Sequence, residues 1–276
     1  MLAAALIVFR EVLESALIVS IVLSAARGMA GRFQWVGGGV LAGLLGAGLL
    51  ALFASEVSSA VSGMGLELFN ASVLGLAVIM LGWHNVWMAS HGREMAKHAG
   101  DIGRAVTAGN RPAYALAIVC GVAVLREGSE TVLFMYGIMA GGNDSMWMVA
   151  GGGLLGMVAG LAIGVVLYFG LMRIHMSRIF KVSGIMILLL AAGLAAQCAG
   201  YLVQADLLPS LGANIWDTSH ILSEDSLLGK ILHTLVGYIA QPQGIQIVFY
   251  VATLAIIGAG MKLMAPKHDA MKVKAS

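Results

Sequence analysis

The sequence predicts an all-α, polytopic membrane protein. Seven transmembrane helices are expected as a 3+3 inverted repeat plus one extra helix, with the N-terminus outside and the C-terminus cytoplasmic. Three observations lead there. Of the 276 residues, 59% are hydrophobic and only 11% charged, against roughly 45–50% and about 25% in soluble domains. Seven stretches are long and apolar enough to cross a bilayer, which takes roughly 20 residues each. And one charged motif occurs twice inside those stretches, 116 residues apart.

The stretches are residues 2–26, 35–54, 66–90, 113–140, 146–170, 182–205 and 244–264. The first has no basic residue before Arg10 and no evident cleavage site, so it is expected to stay as a span rather than leave as a signal peptide. The 37 glycines suit helices whose backbones approach closely in lipid. Cys120 and Cys198 sit in apolar runs without CxxC spacing, as small buried hydrophobes do. The longest link, 206–243, repeats apolar residues at Leu227, Leu228, Ile231, Leu232, Leu235 and Val236. That pattern predicts a surface-lying amphipathic helix. The first repeat covers 1–90 and the second 113–205, with a short basic tail at 265–276.

Basic residues set the orientation. Thirteen of the 16 Lys and Arg fall in the links after the first, third and fifth stretches or in the last stretch's end and tail. The opposite side holds only Lys230 among seven acids, Glu56, Glu67, Asp144, Asp206, Asp217, Glu224 and Asp225. The net charge of +2 gives no reason to expect a nucleic-acid partner; membrane lipid is the expected surrounding.

Six charged residues lie deep inside spans: Arg10, Glu11 and Glu14 in the first, Arg126, Glu127 and Glu130 in the fourth. Each set reads Arg-Glu-x-x-Glu. On a helix the three side chains share one face. A charge at the bilayer centre costs about 2.5–3.5 kcal/mol on insertion scales, so the two sets are expected to meet in the interior. Each opens a three-span unit, and an odd number of spans inverts the second unit. Inverted repeats with polar groups at midplane mark transporters. Four carboxylates and two guanidiniums sum to −2, which a divalent cation neutralises and a trivalent one takes to +1. Oxygen ligands select hard cations; Cu(I) prefers sulfur, and the methionines, including Met135, Met139, Met146 and Met148, are expected to pack.

Paired Arg-Glu-x-x-Glu motifs in spans one and four of a seven-span chain resemble the oxidase-dependent iron permeases, which include the fungal high-affinity iron permease and the bacterial EfeU-type permeases. Further likeness lies in Glu67-Leu68-Phe69, in Ala191-Ala192-Gly193-Leu194-Ala195-Ala196 and in Leu222-Ser223…Gly237-Tyr238. The resemblance implies import of iron, oxidised to Fe(III) by an extracytoplasmic iron-oxidising or iron-carrying partner, across a bacterial inner membrane. It implies no permanently bound cofactor, iron being the substrate. Glu11, Glu14, Glu127 and Glu130 match the iron-handling acids, with Arg10 and Arg126 as motif supports. The family's Glu-Leu-Phe-Glu ends here in Asn70, leaving Glu67 as the acid implied there.

His84 in span three is a further pathway candidate, since ionisable groups in lipid are costly. Gln197 and Tyr201 stand roughly where the inverted repeat puts its counterpart. A stand-alone Fe(II) or other divalent carrier is the alternative. An ATP-driven pump, a zinc protease and a retinal protein are disfavoured: there is no GxxxxGK[ST] run, no HExxH, and the span-seven Lys, Lys262, is at its end.

Overall fold

A computed structural model describes residues 1–61, 66–140, 145–169, 176–224 and 226–264. The expectations placed on Asp144, Asp225 and the tail 265–276 lie outside the described residues, as does the side chain of Glu56. Eight helices occur among the described residues, and no strand: α1 Leu2–Ala25, α2 Arg32–Val61, α3 Leu66–Thr107, α4 Tyr114–Ala140, α5 Met146–Tyr168, α6 Met176–Gln204, α7 Leu227–Val236 and α8 Gly244–Met264. Every predicted span coincides with a long helix. By length and composition α2, α3, α5, α6 and α8 can cross a membrane. α1 and α4, at 24 and 27 residues, have the length but each carries three charges.

α3 departs from expectation. Predicted to end near residue 90, it runs on to Thr107 as a helix of 42 residues. Ala99, Ile102 and Val106 line one face of the extension and pack on Ile18 and Val22 of α1, on Ala26 just after it, and on Leu116 and Cys120 of α4. The outer face carries the exposed Arg104–Asp101 pair. Such a stripe keeps a helix going while its mean hydropathy falls. The chain breaks off at Gly109, whose φ is +77°, ahead of Pro112. His91, just past the expected end of the span, is therefore helical and stacks on Trp87 with ring centroids 5.0 Å apart.

The packing is reciprocal. α5 lies mainly on α1, and α2 mainly on α4. Along α5, Gly152, Gly156, Gly160 and Gly164 are buried one turn apart and meet Met1, the residue before α1, and Ala5, Phe9, Val12 and Ala16 within it. Along α2, Gly39, Gly43 and Gly46 meet Ala117, Gly121 and Leu125 of α4. A Cβ on Gly39 would run into the Ala117 carbonyl, and one on Gly156 into that of Ala5. Only glycine lets these backbones touch.

The positions correspond. Gly39 faces Ala117 as Gly152 faces Met1, and Gly43 faces Gly121 as Gly156 faces Ala5. The first helices are thus related by 116 residues, like the two motifs, and the second helices by 113. The third helices follow the second. Asn85 Nδ2 donates to the Gly184 carbonyl at 2.9 Å, and Cys198 Sγ donates to the Ala71 carbonyl at 3.2 Å. Adding 113 turns Ala71 into Gly184 and Asn85 into Cys198, so each bond is the counterpart of the other. α8 closes the bundle against α3 and α6.

Candidate metal-binding site

α1, α3 and α4 meet at the middle of the bundle, and the two motifs meet with them. On α1, Arg10 Nε lies 2.9 Å from Glu14 Oε1, one turn on, and Nη1 lies 3.8 Å from Glu11 Oε1. On α4, Arg126 Nε lies 3.2 Å from Glu130 Oε1 and 3.8 Å from Glu127 Oε1. Each arginine thereby holds its own motif's carboxylates in place, and the i,i+4 spacing makes that possible within one helix.

His84 joins the halves. Its Nδ1 contacts Glu130 Oε2 of α4, while Nε2 stands 3.6 Å from Glu14 Oε2 and 3.8 Å from Glu11 Oε2 of α1. Glu11, His84, Glu127 and Glu130 each offer one ligand atom, all within 4.8 Å of one another. Arg10, Glu11, Glu14, His84 and Glu127 are buried. Both oxygens of Glu11 and both of Glu127 are buried without a hydrogen-bond partner among the described residues. Buried carboxylates so left are costly, and a cation among them would satisfy them. Three carboxylate oxygens and an imidazole nitrogen suit a first-row transition ion such as iron or manganese better than an all-oxygen site for calcium.

The two motifs differ in exposure. The Arg10 side chain is 3% exposed and that of Arg126 29%. Arg126 lies with Cζ 4.1 Å from the Trp87 ring centre, a cation–π contact, and donates Nη1 to Met95 Sδ at 3.4 Å. Beside it a cavity of about 390 Å³ lies between α3 and α4, lined by Met80, Trp83, His84 and Trp87 of α3 and by Arg126 and Glu130 of α4.

The remaining candidates are placed apart. Glu67 is exposed in the first turn of α3, 17 residues before His84 and thus about 25 Å along the helix; it does not join the cluster. Tyr201 packs on the apolar core one turn beyond Gln197. Gln197 Nε2 lies 3.0 Å from His233 Nε2 of α7. α7 is therefore no free surface helix: it sits on α6 and touches α1. Nothing in the spacing of an isolated His between Leu232 and Leu235 distinguishes it from a solvated one, so the sequence offered no signal for His233. Two outer acids are structural. Asp217 accepts from the Ser219 hydroxyl and N–H and from Gln241, and Ser219 chiefly holds its carboxyl below the usual aspartate range. Glu224 accepts from the Ala240 N–H.

Residues 1–265 match the model of the Iron permease FTR1 family. The Ferrous iron permease EfeU of Yersinia pestis is 33% identical over 242 residues, covering 86% of this chain and 84% of that protein. The same holds for the Ferrous iron permease EfeU of Escherichia coli O6:K15:H31 (strain 536 / UPEC), at 33% over 86% of each chain. A protein of Escherichia coli K12 named Putative inactive ferrous iron permease EfeU is also 33% identical, over 243 residues. No solved structure matches. The chain belongs to the FTR1 iron permease family.

Proposed function

We propose that this permease imports Fe(II) across a bacterial inner membrane, through a central site built of Glu11, Glu14, Glu127, Glu130 and His84. The observation that carries the reading is the buried cluster of carboxylate oxygens without hydrogen-bond partners around one imidazole. With His84 neutral, four carboxylates and two guanidiniums leave −2, which Fe(II) neutralises. The names of the relatives are consistent with the ferrous ion.

In this reading seven helices span the bilayer, α1 to α3 and α4 to α6 as inverted units with α8 added. The reciprocal glycine packing and the paired bonds of Asn85 and Cys198 support it. The basic links put the N-terminus outside. Arg10 and Arg126 position the carboxylates; the carboxylates replace water around the ion; His84 and Glu130 pass it to the cavity beside Trp87. Three carboxylates among four ligands also suit Fe(III), so delivery by an extracytoplasmic iron-oxidising protein is the second reading.

Uptake of radio-iron into proteoliposomes holding only this chain separates them. Fe(II) kept reduced is expected to enter unaided, and chelate-buffered Fe(III) is not. Iron supplied as Fe(II) that enters only when a ferroxidase and oxygen are added would establish the second reading and overturn the first.

A further inference from the structure

The cavity beside His84 has a counterpart on the opposite side of the cluster, and there the space is filled. The 113-residue relation carries Met80 to Gly193, Trp83 to Ala196, His84 to Gln197 and Trp87 to Gly200, while the 116-residue relation carries Arg126 to Arg10 and Glu130 to Glu14. Large side chains on α3 become small ones on α6. The room so made takes the end of α7. Gly237, with φ +72°, caps that helix and lies so close to Gly193 that a Cβ on either would collide with the Cα of the other.

What α7 brings there is His233. Its Nδ1 lies 2.7 Å from the Tyr238 carbonyl oxygen. A carbonyl only accepts, so Nδ1 carries the hydrogen, and on a neutral ring Nε2 presents a lone pair. Gln197 Nε2 donates to it at 3.0 Å, which leaves Gln197 Oε1 buried with no hydrogen-bond partner among the described residues. A ring oriented by an Nδ1–H bond to a carbonyl, with Nε2 directed into a polar site, is the arrangement metal-ligating histidines adopt. A half-turn of the Gln197 amide brings Oε1 beside His233 Nε2, so that both can ligate one ion.

We propose that His233 Nε2 and Gln197 Oε1 form an outer binding station for a divalent transition-metal ion, the counterpart of His84, from which the ion passes to the glutamate cluster. The proposal rests on the reading of that cluster as an iron site. It explains why the position equivalent to His84 is a neutral amide: the imidazole of this half comes from α7 instead. A brace for α7 would need the Nδ1 bond to Tyr238 but not a lone pair facing Gln197.

Two measurements on the full chain test it. The first is initial-rate uptake of Fe(II) by proteoliposomes containing His233→Asn, in which the amide N–H can still donate toward Tyr238. KM is expected to rise about tenfold, within the 10–100-fold that supporting groups of a metal site are worth, with the maximal rate within about twofold and Tm unchanged. An unchanged KM overturns the proposal. The second is anaerobic Fe(II) binding to the purified Glu11→Gln, His84→Gln, Glu127→Gln, Glu130→Gln protein, which lacks all four ligands of the central cluster. Residual binding is expected, and adding His233→Asn is expected to weaken it at least about tenfold. No residual binding, or binding indifferent to His233, overturns the station. Loss of uptake in the glutamate variants bears on the central site alone, so the two readings fail separately.

Discussion

Arg10 and Arg126 occupy equivalent motif positions, yet their surroundings differ. Removing Arg10 leaves the Glu14 carboxylate buried without its 2.9 Å partner, a situation that costs about 3–5 kcal/mol. Arg126 is 29% exposed, and water in the adjoining cavity can take its place. Arg10→Met is therefore expected to lower thermal stability in detergent well beyond Arg126→Met; equal losses would show that burial does not set the difference. The glutamates behave oppositely. Neither oxygen of Glu127 has a hydrogen-bond partner among the described residues, and its ion pair with Arg126 is long at 3.8 Å, so Glu127→Gln removes a weakly compensated buried charge at little change in shape. Its Tm is expected to stay level or rise while Fe(II) uptake falls more than about 100-fold, beyond what outer partners of a ligand contribute. Uptake near wild type would remove Glu127 from the site. His84 illustrates how much a residue's meaning depends on neighbours. In the sequence it is one histidine in an apolar run, and only three-helix packing brings it to Glu14 and Glu130.

At the scale of elements, the glycine seams on α2 and α5 set how closely α1 and α4 approach their partners, and so how the motifs are presented. Gly156→Val would drive a side chain into the Ala5 backbone, whereas Gly151 has open space around its Cβ position. Overpacking costs about 1–3 kcal/mol. Gly156→Val is expected to reduce the yield of folded protein sharply, with Gly151→Val near wild type. The reciprocal pair, Gly39→Val against Gly38→Val, is expected to repeat the contrast, since Gly38 also faces open space. A tolerant Gly156 and an intolerant Gly151 would break the account of the seam. α3 and α7 show what hydropathy alone misses. The α3 extension buries only a stripe, so its mean hydropathy drops although the helix continues. α7 has the amphipathic pattern of a helix at a membrane surface, and its seat on α6 depends on Gly193 and Gly237 meeting backbone to backbone.

For the whole molecule, the distribution of charge and the reciprocal packing make one testable statement about orientation. Asn110 lies in the turn between α3 and α4, and Ser219 in the link before α7. Cys120 and Cys198 are buried, so membrane-impermeant thiol reagents meet little background. Asn110→Cys is expected to react only from the cytoplasmic side and Ser219→Cys only from outside; labelling of both from one side would overturn the inverted arrangement. The asymmetry between halves belongs to this scale too. One side of the cluster adjoins a cavity between α3 and α4, while the equivalent space on the other side is occupied by α7 and Gly237.

From the sequence alone come the helical class, the positions of seven long apolar helices and the duplicated Arg-Glu-x-x-Glu motif. These are legible because the cost of polar groups in lipid is paid residue by residue along the chain, and because i, i+3 and i+4 spacing on a helix needs no tertiary information. The closeness of the two motifs could be expected on the same ground, since isolated charges in lipid must find partners. Tertiary structure decided the rest: that His84 bridges the motifs, that Glu67 stands apart from them, that α3 runs on past the apolar stretch, and that α7 delivers His233 to Gln197. Each of these depends on which helix faces which; the four-residue glycine spacing on α5 marks a close-packing face in the chain but not the helix that it meets.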